Sequence, residues 1–335
     1  MKYLKKVTEW EFRPRYIMYI PIFFYRIRLA IKSWTPMFQY FANPGMPPQS
    51  MLRFSKRQIL KQLDEALIPE TYIITPSTPI EELQTYLEKL AYNAIVKPDL
   101  WERGNDVVKI LSLEQLSTYL HGRNESDVYL LQQYNDYPLE FGVMRYRYPH
   151  ETTGHISGIV QKVPLVAIWD GVQTVQHLIQ GDERLNRYRD LFQERHALLL
   201  DKVLWKDESF QLSDIGNHCK GARFYDTSDL ATPALIAECD RIASQIQGFH
   251  FGRYDFKVPT VEDFRAGKNI IVIEVNGVQS EPAHIYDSAY SLRKAYEQLF
   301  AHRNTIYRIG KAHRKAWLSS NIFGSRFSHI FPSKS

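Results

Sequence analysis

The stretch GRYDFKVPTVEDFRAGKNIIVIEVNG, residues 252–277, sets four polar side chains within two apolar runs. Arg253 and Asp255 lie in the first run, and Glu274 and Asn276 lie in the second. Residues two apart in a strand point to the same side of a sheet, so each pair shares a face. The loop between the runs allows a hairpin, which predicts that the four side chains converge.

The second run, IIVIEVN, alternates between two faces. The alternation predicts an apolar face of Ile271, Ile273 and Val275, and an opposite face of Val272, Glu274 and Asn276. In the first run, Lys257 shares the face of Arg253 and Asp255. The polar side of the hairpin therefore carries hard oxygen ligands.

Length and composition are those of a globular chain. The sequence has 335 residues, of which 44% are hydrophobic and 24% are charged, so one large core or two ordinary ones can form. Cys219 and Cys239 have no paired spacing, which argues against a disulfide framework and a zinc site. Residues 1–15 lack a signal-peptide pattern, and the run YIMYIPIFFY is too short to span a bilayer. The chain is therefore predicted to be cytoplasmic.

Basic residues concentrate at both ends of the chain. Residues 1–57 contain eleven Lys or Arg and two acids, a charge of +9, which leaves −4 for the remainder of a chain of net charge +5. After Glu297 the sequence contains seven Lys or Arg and no acid. Both ends can therefore meet an anionic partner.

Hydrophobic periodicity divides the rest of the chain into helices and strands. Helices are predicted at residues 55–69, 79–92, 173–203 and 231–248. Strands are predicted, before the hairpin, at residues 71–76, 93–98, 127–134, 140–148 and 154–168. This order predicts mixed sheets with helices on their outer faces.

Five motifs follow one another between Ser55 and Asp287: SKxxxLK, IVKPDLWERG, LLQQYNDYPLEFGV, GRYDF and IEVNG. Their order and spacing resemble the ATP-grasp superfamily, in particular its D-alanine–D-alanine ligase-like carboxylate–amine ligases. The resemblance implies an α+β ATP-grasp fold in which a nucleotide is held between two α+β subdomains, an N-terminal or middle subdomain at residues 55–127 and a C-terminal catalytic subdomain at residues 128–315. Composition adds a short basic aromatic N-terminal arm and linker at residues 1–54 and a basic tail at residues 316–335.

The resemblance also implies a set of ATP contacts, namely Lys56, Lys97, Gln133, Tyr134, Asp136 and Glu140. Lys97 follows an apolar strand, where a lysine can instead be an ordinary surface residue. For Lys56, the neighbouring Lys61 is an equally simple choice. Residues 132–140 resemble the adenine hinge of the family, with Glu140 as the acceptor for the ribose hydroxyls.

The same match implies two catalytic cations and a metal site. Lys162 resembles the lysine that bears on the γ-phosphate, with a cross-strand ion pair as the alternative. Arg253 would stabilise charge on the reacting phosphoryl group and on tetrahedral species. Asp255, Glu274 and Asn276 are predicted to hold one or two Mg²⁺ ions, because Mg²⁺ bridges carboxylates to phosphates. The alternative for this set is an Arg–Asp salt bridge beside an Asn-Gly turn.

Departures from the family pattern limit what the match implies. The phosphate loop LWERGNDVVK contains a single glycine, Gly104, and Arg103 is an alternative phosphate contact. The segment GVQSEPAHIYD lacks the proline-glycine step of D-alanine ligases, so D-alanine is not supported as a substrate. Arg223, Ser280 and His284 are predicted to line the acceptor site, although a lone histidine is more often a structural group.

These features predict a ligase that uses ATP and Mg²⁺ to join a carboxylate to an amine through an acyl phosphate, with release of ADP and phosphate. Its substrates would be small-molecule or lipid-linked acids and amines. A small-molecule kinase on the same scaffold is one alternative. A non-catalytic membrane-associated adaptor is another.

The family resemblance does not explain the aromatic arm, WEFRPRYIMYIPIFFYRIRLAIKSW. Its apolar side chains and cations favour peripheral attachment to an anionic membrane, at the inner membrane surface. Packing of the arm on the body or in a homodimer interface is an equal alternative, because Pro14 and Pro21 interrupt a long amphipathic helix. Nucleic acid is disfavoured as a partner, since the cations alternate with aliphatic side chains.

Overall fold

The computed structural model describes residues 15–46, 55–100, 106–190, 193, 197–207, 209–211, 216 and 221–319. Their α-helices are Arg15–Met18 (α1), Ile20–Ser33 (α2), Lys56–Leu60 (α3), Ile80–Lys89 (α4), Leu113–Leu120 (α5), Val175–Gly181 (α6), Glu183–Arg187 (α7), Pro233–Gln245 (α8), Val261–Ala266 (α9) and Leu292–Ser319 (α10). Their strands are Thr71–Ile74 (β1), Ala94–Pro98 (β2), Val108–Ile110 (β3), Tyr129–Gln133 (β4), Leu139–Tyr146 (β5), His155–Val163 (β6), Val166–Ile168 (β7), Ser209–Gln211 (β8), Arg223–Asp226 (β9), Phe251–Val258 (β10) and Ile271–Asn276 (β11). Turns of 3₁₀ helix lie at Tyr40–Ala42, Glu65–Leu67, Ala197–Leu199, Ser228–Leu230 and Ala283–Tyr286.

The strands form two sheets and one short hairpin. A four-stranded sheet has the order β1-β4-β2-β3, and a five-stranded sheet has the order β11-β10-β5-β6-β9. Strands β7 and β8 pair only with each other among the described strands. Every described pairing is antiparallel, so the prediction of mixed sheets is wrong. The combination of helices with antiparallel sheets is an α+β architecture.

Each predicted strand region forms strand, but the strand predicted at 154–168 is split into β6 and β7, which belong to different sheets. The helices differ in length. The helix predicted at 55–69 is the short α3 followed by a 3₁₀ turn, and the helix predicted at 173–203 is broken into α6, α7 and a further 3₁₀ turn. The hairpin connection contains α9. The long helix α10 has no counterpart among the sequence predictions.

Helices α4 and α5 cover one face of the four-stranded sheet. Leu87 of α4 and Leu116 of α5 share a buried cluster with Ala94 and Val96 of β2. Because side chains alternate along a strand, Lys97 lies on the opposite face of β2. The chain thus turns Lys97 away from this core.

The five-stranded sheet likewise has one face committed to a core. Tyr254 and Phe256 of β10 share a buried cluster with Leu235 and Ile242 of α8. The residues between them alternate to the other face, where Asp255 lies. The Asp255 carboxylate therefore lies on the face opposite α8.

A β-bulge in β11 changes the predicted side-chain pattern. Asp255 pairs with Glu274, but the next residue, Phe256, pairs with Val272, so Ile273 is the extra residue. Val272, which the alternation placed beside Glu274, instead lies in the core and is 0% exposed. The predicted alternation therefore holds from Glu274 onward and is wrong before the bulge.

The N-terminal arm packs on the body of the chain through one side of α2. Ile22 shares a buried cluster with Leu299 of α10, and Leu29 shares another with Ile306. The helical run breaks at Tyr19, between α1 and α2, and Pro21 lies in the first turn of α2, so no helix continues through the proline. No helix among the described residues is long and apolar enough to cross a membrane.

Asn43 fixes the end of the arm against the start of β10. Its side-chain oxygen accepts from the backbone N–H groups of His250 and Phe251, each at 2.9 Å, and its Nδ2 donates to the Phe251 carbonyl at 2.8 Å. Gly45 approaches the Gln247 carbonyl so closely that a Cβ atom there would lie 2.0 Å from the oxygen. This clasp holds the arm beside the polar face of the five-stranded sheet.

Replacing Asn43 with alanine tests the clasp. Asn43→Ala should lower the free energy of unfolding by about 2–4 kcal/mol, because buried backbone groups left without partners cost about 1–3 kcal/mol each. Urea denaturation measures the change. The control is Asn124→Ala, which removes the exposed acceptor of Ser126 and should cost less than about 1 kcal/mol. Equal stability of the two variants would show that the clasp does not hold the arm.

Candidate functional site

Asp255 is the centre of an ion network on the polar face of the five-stranded sheet. One of its oxygens accepts from Arg253 Nε at 2.9 Å, and the other lies 3.1 Å from both Arg253 Nη2 and Lys162 Nζ. Lys162 Nζ also lies 2.8 Å from Glu140 Oε1. Strands β10, β6 and β5 thus contribute two cations and two carboxylates to one network.

Burial and pairing act in opposite directions on this network. Asp255 is 4% exposed, and burial alone would raise the pKa of its carboxyl. Arg253 and Lys162 outweigh burial and hold the pKa of Asp255 below its usual value. Replacing Asp255 with a neutral residue would leave the buried Lys162 and the half-buried Arg253 undercompensated, so Asp255→Asn would weaken the fold as well as any metal site.

Gly142 makes room for the Asp255 carboxylate. It lies opposite Asp255 in the pairing of β5 with β10. A Cβ atom at this position would lie 2.8 Å from Val160 Cγ1 and 3.2 Å from Asp255 Oδ1. A larger residue would therefore displace the network or the neighbouring strand.

Lys97 links the two sheets. From the end of β2, its Nζ donates to the carbonyl of Ile273, the bulge residue of β11, at 3.1 Å. Lys97 is 5% exposed, and burial lowers its pKa to about 8, although Glu274 and Asp255 act to raise it. A buried ammonium held by a neutral carbonyl would gain from an anionic partner.

Lys56 lies at the same end of β2. Its Nζ donates to the Pro98 carbonyl at 3.0 Å. Asp99, which is buried, sets this position by accepting from the Ser55 hydroxyl at 2.8 and 3.0 Å. The alternative lysine, Lys61, is exposed on the outside of the helix end. The structure therefore places Lys56 beside the candidate site.

Glu274 and Asn276 complete the set of oxygen ligands. In the β10–β11 pairing, Glu274 lies opposite Asp255 and Asn276 lies opposite Arg253. Within the described residues, the Glu274 carboxylate accepts no hydrogen bond and the buried Asn276 Nδ2 has no partner. The Glu274 carboxylate fits Mg²⁺, which takes one or two carboxylates and fills its octahedron with phosphate and water oxygens. The Asn276 Nδ2 group is a donor, so it suits a phosphate oxygen and does not bind the ion. The described residues contain no group of three or more His, Cys, Asp or Glu that could hold a metal alone.

The predicted adenine hinge begins at the end of β4. The backbone N–H of Gln133 donates to Glu70 at 2.8 Å, and that of Tyr134 donates to Asn93 at 2.8 Å. Asp136 is exposed and accepts from Asn93 Nδ2 at 3.0 Å. Two hinge N–H groups are therefore committed within the protein.

Lys257 ties the hinge to β10. Its Nζ donates to the carbonyls of Asn135 at 3.0 Å and Tyr137 at 3.2 Å. It also lies 5.1 Å from the ring centroid of Tyr134, and Lys109 Nζ lies 4.0 Å from the same ring. The hinge and the Lys97 contact thus join the two sheets at separate points.

The residues predicted for the acceptor site have separate surroundings. Arg223 is exposed on the edge strand β9. Ser280 donates to the Gly277 carbonyl at 2.6 Å within a turn. His284 is 1% exposed and packs on Gly158, and burial lowers its pKa. This is the environment of a structural histidine, and the acceptor roles of the other two stay predictions.

Several contributors to the site were not identified from the sequence. Asp99 directly follows the strand that ends in VKP, and a carboxylate at a strand end could have been identified from the sequence as a contributor to the site. Gly142 lies within a predicted strand, where a glycine marks a close approach. No feature of the sequence indicates the bulge at Ile273. Arg103 and Gly104 of the predicted phosphate loop lie outside the described residues.

No protein-family model and no curated protein match the sequence. Solved structures do match it. One is a D-alanine–D-alanine ligase from Bacillus anthracis, with 13% identity and a TM-score of 0.43. Others are a bifunctional glutathione synthetase from Pasteurella multocida, with 16% identity and a TM-score of 0.39, and a D-cycloserine synthetase, with 12% identity and a TM-score of 0.42.

These matches cover most of this chain and varying parts of the others. They include 78% of this chain for the first two structures and 76% for the third. They cover 68% of the D-alanine–D-alanine ligase, 70% of the D-cycloserine synthetase and only 37% of the glutathione synthetase. Likeness of this extent assigns no activity to the chain, and its function is inferred from the site.

The depressed pKa of Lys97 makes stability depend on pH. Its pKa is about 8 in the folded chain and 10.5 when unperturbed, so the unfolded state binds the extra proton between these values and stability rises with pH. The free energy of unfolding of the parent, relative to that of Lys97→Met, should rise by up to about 3 kcal/mol between pH 8 and 10.5. Urea denaturation measures this difference. For the exposed control Lys61→Met, the difference in unfolding free energy from the parent should not change with pH. If the difference between the parent and Lys97→Met also stays constant with pH, Lys97 is not desolvated.

Proposed function

We propose that this protein is an ATP-dependent ligase that joins a carboxylate to an amine through an acyl phosphate and releases ADP and phosphate. One observation supports this most: buried cations and an uncommitted carboxylate meet where the two sheets approach. Lys97 crosses from one sheet to the other beside Glu274, and Arg253 and Lys162 flank Asp255. Phosphoryl transfer needs this combination, because cations neutralise phosphate oxygens and carboxylates hold the metal.

Lys97 and Lys56 would hold the ATP phosphates as compact point charges. Each now donates to a neutral backbone carbonyl, so nucleotide binding would replace a neutral acceptor by an anionic one. Glu140 would accept from the ribose hydroxyls through the oxygen that Lys162 does not occupy. The adenine would meet residues 133–136, the segment that joins the two sheets.

Asp255, Glu274 and Asn276 would hold Mg²⁺. When bound, the ion would supply charge neutralisation at the phosphate oxygens. The charge of Asp255 is already balanced by direct ion pairs with Arg253 and Lys162, whereas Glu274 makes no direct ion pair within the described residues and interacts with Lys97 and Arg253 only at longer range. Glu274 is therefore the carboxylate on which metal affinity depends most.

The proposed reaction has two steps. A carboxylate oxygen of the acid attacks the terminal phosphorus of ATP, and the bond to the bridging oxygen breaks as ADP leaves. The amine nitrogen then attacks the acyl carbon, phosphate leaves with the electrons of the C–O bond, and the nitrogen loses a proton. Negative charge moves between oxygens in both steps, and Arg253 and Lys162 would stabilise it from fixed positions.

A small-molecule kinase is the second candidate, because the same phosphate and metal groups would serve transfer to a hydroxyl. A kinase leaves the phosphate on its substrate, so the products distinguish the two activities. A non-catalytic adaptor is disfavoured, since burying the Lys97 ammonium without an anionic ligand is costly.

Glu274→Gln tests the proposed function with little effect on the fold. Turnover should fall at least about tenfold, because the variant loses the carboxylate charge that a metal would use. Stability should fall by less than about 1 kcal/mol, since Glu274 makes no direct ion pair within the described residues and acts on the charges of Lys97 and Arg253 only at longer range. The measurement is ADP and phosphate release from Mg²⁺-ATP across a screen of acid–amine pairs.

The control is Glu262→Gln, which removes an exposed carboxylate from α9 and should turn over like the parent. Phosphate release should require both the acid and the amine. ADP release without phosphate would favour the kinase. Parent-like turnover by Glu274→Gln would show that the end of β11 is structural.

A further inference from the structure

One side of the arm exposes a stripe of large apolar residues. These residues, the arm stripe, are Ile17, Ile20, Phe23, Phe24, Ile27, Ile31 and Trp34. Ile31 is 71% exposed and Trp34 is 90% exposed. Their spacing of three and four residues places them on one side of a helix with 3.6 residues per turn.

The arm stripe is not the side of α2 that packs on the body. Ile22 and Leu29 face α10 and are 1% and 3% exposed. Helix α2 therefore has two apolar sides, of which the described residues cover one. A surface helix needs a single apolar side, and a second one of this size marks an interaction surface.

Cations from both ends of the chain border the arm stripe. Arg28 and Lys32 are exposed along one edge of it. Arg314 of α10 donates to the Ser33 carbonyl at the end of α2, and Lys32 Nζ lies 5.4 Å from the ring centroid of Tyr307. The two basic ends, separated by most of the sequence, thus meet on one surface.

The second half of α10 adds to this charge. Its exposed cations are Arg308, Lys311 and Lys315. Residues 15–46 and 298–319 contain no Asp or Glu. The surface formed by α2 and the end of α10 therefore combines exposed apolar bulk with charge of one sign.

We propose that the arm stripe and its bordering cations dock on an anionic lipid bilayer, with α2 lying in the plane of the membrane. The apolar side chains would enter the boundary between headgroups and acyl chains, while the cations stay at the level of the phosphates. A second copy of this chain is a poorer occupant, since it would bring two cationic surfaces together. The proposal uses no residue of the candidate site, so it holds or fails apart from the proposed function.

Vesicle sedimentation tests the docking. The parent should sediment with vesicles that contain phosphatidylglycerol, bind phosphatidylcholine vesicles at least about tenfold more weakly, and lose affinity as salt rises. The double variant Phe24→Glu, Ile31→Glu should lose at least about tenfold in binding. Its control is Ile168→Glu, Trp205→Glu, which changes side chains 63% and 85% exposed outside the arm and should bind like the parent.

Tryptophan quenching gives a readout that needs no charged substitution. Brominated acyl chains should quench the fluorescence of Trp34 in the parent, and Trp34→Phe should remove that part of the quenching. Trp205→Phe is the matched control and should leave the quenching unchanged.

Three results would overturn the proposal. One is a parent protein that does not sediment with phosphatidylglycerol vesicles. Another is equal binding by the arm-stripe variant and its control. The third is a dimer in sedimentation equilibrium that Phe24→Glu, Ile31→Glu dissociates, which would assign the arm stripe to self-association.

Discussion

The pairing of the buried Asp255 carboxylate with Lys162 and Arg253 is the constraint on which the site depends. Burial would raise the pKa of Asp255, and Arg253 and Lys162 reverse that effect. The arrangement requires β10, β5 and β6 in register, with Gly142 opposite the carboxylate. It also balances the charge of Asp255 within the protein. The network therefore fixes where the charges lie and leaves Glu274, without a direct ion pair in the described residues, as the carboxylate available to the proposed metal.

The bulge in β11 couples this network to the second sheet. The carbonyl of the extra residue, Ile273, accepts a hydrogen bond from the buried Lys97 ammonium. Lys97 finds this acceptor in the second sheet and not in its own. The pKa of Lys97 is lowered to about 8 by burial, so the contact is sensitive to any anion that enters. Lys257 makes the second connection, at the hinge. The two sheets are thus joined by the lysines Lys97 and Lys257, and phosphate oxygens can bind such cations.

Much of this arrangement could be predicted from the sequence, because strand alternation is a local property. The pairing of Asp255 with Glu274 follows from two apolar runs and a loop, and Lys97 follows from one short strand. The bulge could not be predicted, since it depends on the register between two strands. The break before Pro21 could be predicted, because a proline does not continue a helix through its own position. The packing of α2 on α10 could not, since it depends on contacts between distant parts of the chain.

The central claim is that the meeting of the two sheets binds a magnesium nucleotide through Lys97. Calorimetric titration of the full chain with Mg²⁺ and a non-hydrolysable ATP analogue tests it without knowledge of the substrates. The account predicts one site per chain, an affinity at least about tenfold weaker in Lys97→Met, and parent-like affinity in Lys61→Met. A parent that binds no nucleotide, or a Lys97→Met variant that binds as the parent does, would contradict the account.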